Sequence, residues 1–282
     1  MRRLRVRVAV VSYRCTDSLV ALLTQLRSEN EDWEICVWDN HSETSDLIQE
    51  LLGPSESVDW VYFCTENVGF AKAINYIAAL PGTWDVLLTV NPDLRIVSSL
   101  QPLISACSQT DVAAVGGCAR GSDSPDCTNA YEDVGPFGLA LRSLRGRAHE
   151  IIRAQPFREH TRLANGWIEG SLLAFSRPAW LDVGPLDEGY FLYSEEQDWQ
   201  RRARLRGWSI IQVSTAIFVH APKGSVSGNR ELEHLSDKMQ EDSRRYYIRK
   251  CWGTRGLILY STVLAMGKIA KGCMMKKSWR RA

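Results

Sequence analysis

Four short polar stretches in this sequence carry the residue types needed to hold a charged small molecule. Ser12-Tyr13, Asp39-Asn40, Asn67 and Asn91-Pro92-Asp93 each stand at or just beyond the end of an apolar run. Taken singly, each is ordinary loop chemistry, and Asn-Pro-Asp is a good turn former. Four in succession along one edge of a sheet also suit a ligand site. An acid there takes a ribose hydroxyl or a base edge, and Asp93 suits a divalent cation held between a carboxylate and substrate phosphates. No G-x-G-x-x-G follows the first run and no G-x-x-x-x-G-K-[ST] occurs, which argues against a dinucleotide site and removes the P-loop class. A nucleoside diphosphate bound without a glycine cradle needs its charge neutralised by a metal or by basic residues.

A second cluster runs from Phe191 to Trp199 and delivers Glu195 and Glu196 to the start of a helix. Helix physics accounts for much of it. Ser194 and Gln197 have the spacing of a capping box, the early acids complement the helix dipole, and Arg201, Arg202, Arg204 and Arg206 fill the later turns before Gly207. A Glu of ordinary pKa, near ~4.3, is also ionised at neutral pH and accepts a proton from a sugar hydroxyl. His220 ends an apolar run ahead of the Gly/Ser-containing stretch 221–228. A histidine there is a structural residue or a metal ligand, and such a loop can close over phosphates.

The elements that must position these groups read as alternating strands and helices. Strands are expected at Arg5–Val11, Trp33–Trp38, Trp60–Cys64, Trp84–Val90 and Val112–Gly116. Helices are expected after an N-cap at Asp17 (Leu19, Leu22, Leu23 and Leu26 on one stripe), through Leu47–Leu52, at Phe70–Leu80 and near Ser98–Ser108. That alternation predicts an open α/β fold with a parallel sheet, whose ligands sit beyond the carboxyl ends of the strands. Residues 117–162 lose their periodicity and read as loops covering a site. Regular structure resumes at Trp167–Ser176, followed by a short helix at Pro178–Asp182, a helix at Glu195–Arg206, strands at Ile210–Val213 and Ile217–His220, and a polar helix at Glu231–Lys250.

Composition sets the class. The chain has 282 residues, 45% hydrophobic and 24% charged, an ordinary globular mix with enough apolar matter for a full core. Residues 1–242 hold 23 of the 34 Lys and Arg and all 33 Asp and Glu, a net charge of −10, while residues 243–282 hold eleven basic side chains and no acid. The eight cysteines show no C-x-x-C pair, so reduced thiols in a cytoplasmic protein are expected. The apolar run after Met1 reads as a strand rather than a leader, and no stretch reaches the ~18–20 apolar residues of a membrane span, the longest candidate being Gly256–Gly267.

In their order the motifs resemble the glycosyltransferase family 2 enzymes of GT-A fold, in the bacterial rhamnosyltransferase-like branch. The matching pieces are Val10–Tyr13, Val37–Ser42, Asn67–Phe70 with Asn75, Asn91–Asp93, Glu169–Arg177, Gly184–Glu188 running into Phe191–Trp199, and Val219-His220 with Gly224-Ser225. The resemblance implies a Rossmann-like, mostly parallel sheet flanked by helices, with a C-terminal helical basic extension. It implies a nucleotide-diphosphate sugar donor, Mg²⁺ or Mn²⁺, and inverting transfer, with L-rhamnose from its dTDP donor as leading donor. By position, Asp39 would bind the nucleoside with Ser12, Tyr13, Asn67, Gly69, Phe70, Asn75 and Asn91 around the donor. Asp93 and His220 would contact the metal, Asn91 standing where relatives have the first acid of D-x-D. Glu196 would be the general base in place of the more usual Asp, with Glu195 and Asp198 supporting it. Trp167, Glu169 and Gly170 would line the acceptor/donor pocket. The expected division is a GT-A domain over 1–230, with a nucleotide-binding half to about 117 and an acceptor half over 118–230, followed by the extension 231–282.

Eleven basic residues around the apolar Leu257–Met266 suit an anionic leaflet at the inner face of the cell membrane, where a glycan or lipid-linked acceptor would be met. The acidic body argues against nucleic acid as the partner of this tail. Two other readings remain open. A nucleotidyltransferase of similar fold lacks a Gly-rich basic loop after the first strand, and a non-catalytic nucleotide-sugar-binding protein would not need Asp39, Asp93, Glu196 and His220 together.

Overall fold

The computed structural model describes residues 3–40, 58–120, 127, 129–145, 160–220 and 230–279. The helix expected through Leu47–Leu52 and the loop at 221–228 lie outside the described residues. Strands β1 (Val6–Ser12), β2 (Glu34–Asp39), β3 (Trp60–Phe63) and β4 (Val86–Val90) pair in parallel in the order β3-β2-β1-β4. Helix α1 (Thr16–Glu29) buries Leu19, Leu22, Leu23 and Leu26 on one face of this sheet, as their spacing predicts. Its N-cap is Cys15, with no side-chain cap, and Asp17 sits in the first turn instead. Helix α2 (Phe70–Ala79) covers the opposite face through Ala73, Ile74 and Ile77. The fully buried Arg7 pairs with Glu34 and donates to the carbonyls of Ile77, Leu80 and Pro81 at the end of α2. A cation thereby satisfies the last carbonyls of a helix, where the dipole favours positive charge.

Beyond β4 come β5 (Leu94–Ile96), α3 (Gln101–Cys107) and β6 (Val112–Ala119). The stretch expected to be loops then holds β7 (Ala130–Glu132), α4 (Pro136–Arg145) and β8 (His160–Arg162). Strands of three residues carry no readable period, which is why the pattern faded there. The run 167–176 divides into β9 (Gly166–Ile168), paired with β7 in a separate small sheet, and β10 (Leu172–Ser176). Helices α5 (Arg177–Val183) and α6 (Glu195–Leu205) follow, then β11 (Ser209–His220), where the two expected short strands are one, with its register broken between Gln212 and Ile217.

The main sheet runs β3-β2-β1-β4-β10-β6-β11-β5, with β8 also on β11. It is mixed rather than parallel throughout: β10 lies antiparallel between β4 and β6, and β5 and β8 are antiparallel to β11. The expected boundary between halves at 117/118 falls inside β6, so both halves share this sheet. Cys118 and Cys127 form a disulfide, contrary to the expectation of reduced thiols throughout. An antiparallel bridge between Arg120 and Cys127 brings the chain back beside β6, a proximity that nine-residue spacing does not reveal.

The last helix, α7 (Arg230–Trp279), is broken at Gly253, whose φ of 66° is left-handed. The Tyr260 hydroxyl donates to Glu241 at 2.7 Å, and Arg245 reaches Ser261. An unbroken helix would put Glu241 and Tyr260 about 28 Å apart, so α7 is a hairpin of two antiparallel segments. Its inner face joins α4 in a third core of Leu139, Ala140, Tyr190, Tyr247, Ile248, Tyr260 and Leu264. The extension is therefore packed against the body, with Arg244, Arg245 and Lys250 engaged by intramolecular partners. No helix among the described residues is long and apolar enough to cross a membrane.

Candidate active site

The parallel register places the polar strand ends side by side. Ser12 pairs with Asp39, both buried, and the Asn40 N–H donates to the Ser12 carbonyl at 2.8 Å. Tyr13 is half-buried beneath the guanidinium of Arg14. The Asn40 side chain accepts from the Trp38 indole and the Val68 N–H and faces the Gly69 carbonyl, which fixes the turn leading into α2. Asn67 closes the same turn by accepting the Gly69 N–H. Gly69 has φ +86°, and a Cβ there would collide with the Phe191 carbonyl oxygen. The Phe70 N–H donates to that oxygen at 2.9 Å. The donor-side turn is thus docked on the chain that leads into α6. Asn75 spends its amide on the Leu186 backbone and Glu188, so it holds the 186–188 segment.

The antiparallel pairing of β10 with β4 then makes the site. The Asn91 N–H donates to the Ser171 carbonyl at 2.8 Å, which sets Asn91-Pro92-Asp93 beside Glu169-Gly170-Ser171. His220 is paired with Leu94 across β11 and β5, and its Nδ1 stands 3.8 Å from the Asp93 carboxylate. That carboxylate, despite partial burial, raises the imidazole pKa above its usual value. Glu196 lies across Gly170: a Cβ on that residue would sit 3.5 Å from the Glu196 Cβ and Cγ, ordinary contact with no space to spare. Strand ends, β9–β10 turn and helix start therefore meet at one place.

Residues Tyr193 and Ser194 enter α6 with φ of 71° and 70°, a left-handed conformation unusual for residues other than glycine. Ser194 makes no side-chain cap, so the capping box read from the sequence does not form. Strain of order 1 kcal/mol per residue is typical of functional turns, and here it aims the first turn of α6 at Gly170. Burial pushes the Glu196 carboxyl up to about 7, with Glu169 adding to the rise and backbone groups of Gly170 and Gln197 opposing it. Glu195 is buried, and desolvation and the neighbouring Glu196 carry its carboxyl well above the ordinary range. Among the described residues, Oε2 of each is without a hydrogen-bond partner. Asp198 serves a different purpose: its buried carboxylate pairs with Arg202 and with Lys250 of α7. Trp167 stacks on Tyr131 with ring centroids 4.9 Å apart, and the Tyr131 hydroxyl donates to Glu169.

Tyr131 and Asp133 were not legible as site-supporting residues, since both fall in the stretch read as loops. Asp133, fully buried, receives Arg201, Arg204 and the Tyr247 hydroxyl. The alternation of arginines along α6 was the available signal, but it matched a helix C-terminus equally well. Asp93 and His220 suit a divalent cation in type, one hard oxygen and one imidazole nitrogen. Among the described residues there is no group of three or more His, Cys, Asp or Glu that could hold a metal ion by itself.

Residues 7–156 match the sequence profile described as glycosyl transferase family 2, more than half of the chain, and the protein belongs to that family. A relative is the N-acetylglucosaminyl-diphospho-decaprenol L-rhamnosyltransferase of Mycobacterium tuberculosis, 28% identical over 195 residues, 60% of this chain and 61% of the relative. The chain thus aligns with less than two thirds of that relative's length. Among solved structures, the Pyrobaculum calidifontis mannosyltransferase in complex with GDP-Man and Mn²⁺ superposes with TM-score 0.56 at 16% identity, covering 100% of this chain and 81% of that one. Glucosyl-3-phosphoglycerate synthase of M. tuberculosis, with Mn²⁺ and UDP, gives 0.54 at 15% identity over 88% and 80%. These likenesses establish the GT-A fold: a central mixed sheet flanked by helices.

Proposed function

We propose that the protein is a metal-dependent inverting glycosyltransferase that moves a sugar, with L-rhamnose from dTDP-rhamnose as leading donor, to a hydroxyl of a lipid-linked glycan. The observation that carries this reading is the convergence of Glu196, seated on Gly170, with Asp93 and His220 at the end of β4. Asp39 and Ser12, with Tyr13, Asn67, Gly69, Phe70 and Asn91 around them, form the nucleoside side of the cleft. Asp93 and His220 would hold Mg²⁺ or Mn²⁺, which offsets the charge that builds on a departing diphosphate. Glu196 takes the proton of the acceptor hydroxyl. The freed oxygen forms the bond to the anomeric carbon as the bond to the diphosphate breaks on the opposite face, and the configuration inverts in one displacement. A carboxyl held near pH 7 suits that task, because the base is ionised without being too weak. The rhamnosyltransferase relative, named for a diphospho-decaprenol-linked substrate, supports the acceptor class.

The same reading places the protein at the inner face of the cell membrane, touching anionic lipid through residues 243–282. Support comes from the second segment of α7, where Ile258, Leu259, Met266 and Ile269 are exposed large apolar residues and Arg255 and Lys268 are exposed cations. The test is transfer from a panel of nucleotide sugars to a polyprenyl-diphosphate-linked amino sugar, read as released nucleoside diphosphate. One donor should be consumed, with the activity lost in EDTA and reduced at least ~100-fold in Asp93→Ala. A folded protein that neither binds nor consumes any donor overturns the proposal.

A further inference from the structure

A groove of about 390 Å³ opens between the chain that leads into α6 and the first segment of α7. Its walls are apolar, with Phe191 on one side and Leu235, Met239 and Tyr246 on the other. The three from α7 recur at spacings of four and seven residues, so they form one stripe of the helix. Phe191, Leu235 and Tyr246 are all exposed, three large side chains left open around one hollow. The charged members, Lys238 and Asp242, stand one turn apart and cancel in net charge. That balance suits a neutral chain better than a diphosphate. The volume falls in the range of roughly 300–1,000 Å³ typical of small-molecule sites.

Two further observations bear on what fills the groove. It is tied to the turn that carries the proposed base: the Tyr193 and Ser236 hydroxyls are 2.7 Å apart, and the Ser243 hydroxyl donates to the Leu192 carbonyl at 2.7 Å. Tyr193 is one of the two left-handed residues that enter α6. The groove also reaches the exposed apolar stripe of the hairpin. Glu241 is bonded to Tyr260, and the two segments are antiparallel. Leu235, six residues before Glu241, therefore stands level with Met266, six after Tyr260. One end of the groove lies at the chain entering α6, and the other at the height of exposed Met266.

We propose that this groove seats the first isoprene units of the acceptor's polyprenyl chain, between the exposed stripe and the proposed site. Naming the chain as the acceptor's rests on the reading of the protein as a transferase to a lipid-linked glycan. Each fully buried methylene is worth about fourfold in affinity. Even a short stretch of chain in the groove thus sets acceptor affinity before any sugar is touched.

The experiment is calorimetric titration of the full chain with dimethylallyl, geranyl and farnesyl diphosphate, each below its micellar concentration. Affinity should rise by about tenfold with each added isoprene unit, below the fully buried limit because the groove is open. Leu235→Gln with Met239→Gln removes the apolar stripe while keeping good helix formers, and should flatten the series to within about twofold. Phe191→Ser, on the facing wall, should weaken the series independently. Ile258→Asp with Met266→Asp, on the exposed stripe, should leave it intact. A flat series in wild type overturns the proposal. So does an unchanged series in groove variants of native thermal stability, or its loss in the stripe variant alone. The titration uses neither donor nor metal, so the two readings fail separately. Protein that shows the series but transfers sugar to no polyprenyl-diphosphate-linked acceptor loses the transferase reading, and with it the naming of the chain. Protein that transfers sugar yet gives a flat series loses the groove alone.

Discussion

Two adjacent glutamates at the start of α6 divide the labour through their surroundings. Glu195 is buried without a partner for Oε2, and desolvation with the neighbouring Glu196 carries its carboxyl well above the ordinary range, whereas Glu196, resting on Gly170, is pushed up to about 7. The sign of the pH effect follows. In its proposed role as base Glu196 must be ionised, so kcat should fall as pH drops through about 7 and reach a plateau above it. Rate measurements at saturating substrates from pH 4 to 9 check this, and a rate that stays flat between pH 6 and 8 would overturn the prediction. For stability the same shift runs the other way. A carboxyl whose folded pKa is raised favours the fold fully below its usual value of 4.5 and loses that contribution as pH rises through about 7. Glu196 is legible in the sequence from its place after an aromatic run. Its raised pKa is not, since that depends on Gly170 and Glu169, some 26 residues away along the chain and adjacent only after β10 inserts beside β4.

At the scale of elements, α6 is clamped from both sides. Asp133, just after β7, collects Arg201, Arg204 and the Tyr247 hydroxyl, and Asp198 collects Arg202 and Lys250. Breaking a buried ion pair leaves an uncompensated charge and costs about 3–5 kcal/mol. Asp133→Asn should therefore lower unfolding free energy by about 3 kcal/mol, and Lys250→Ala by about 2 kcal/mol because Arg202 remains. Urea denaturation followed by tryptophan fluorescence measures both. The helix itself was readable from its early acids and later arginines, though not from the capping box, and β1, β2, β4, α1 and α2 were readable from long apolar runs and stripes. The small sheet of β7 and β9, and α4 between β7 and β8, were not. Their strands are three residues long and owe their existence to tertiary pairing rather than to local pattern. The disulfide between Cys118 and Cys127 escaped for the same reason, because it follows from a bridge that only the folded chain makes.

For the whole molecule, the asymmetry of an acidic body and a basic end resolves into two populations of cations. Arg244, Arg245 and Lys250 are consumed in holding α7 to itself and to the body. Arg255 and Lys268 stay exposed on the segment that bears Ile258, Leu259, Met266 and Ile269. Spacings of eight and eleven residues from Ile258 put Met266 and Ile269 on one helical stripe. Ile258→Asp with Met266→Asp should reduce co-sedimentation with vesicles of 30 mol% anionic lipid by about tenfold, and raised salt should weaken wild-type binding. Equal binding by the double variant and wild type would rule out this stripe as the contact. The clasp between Asp198 and Lys250 has a further consequence, one of timing. A ribosome delivers the strand ends and the paired glutamates first, yet the cation that completes the anchorage of their helix lies 52 residues later. During synthesis the nascent chain holds the groups of the proposed site before it holds the means to keep them still, so on this reading competence arrives only when the closing hairpin has been made.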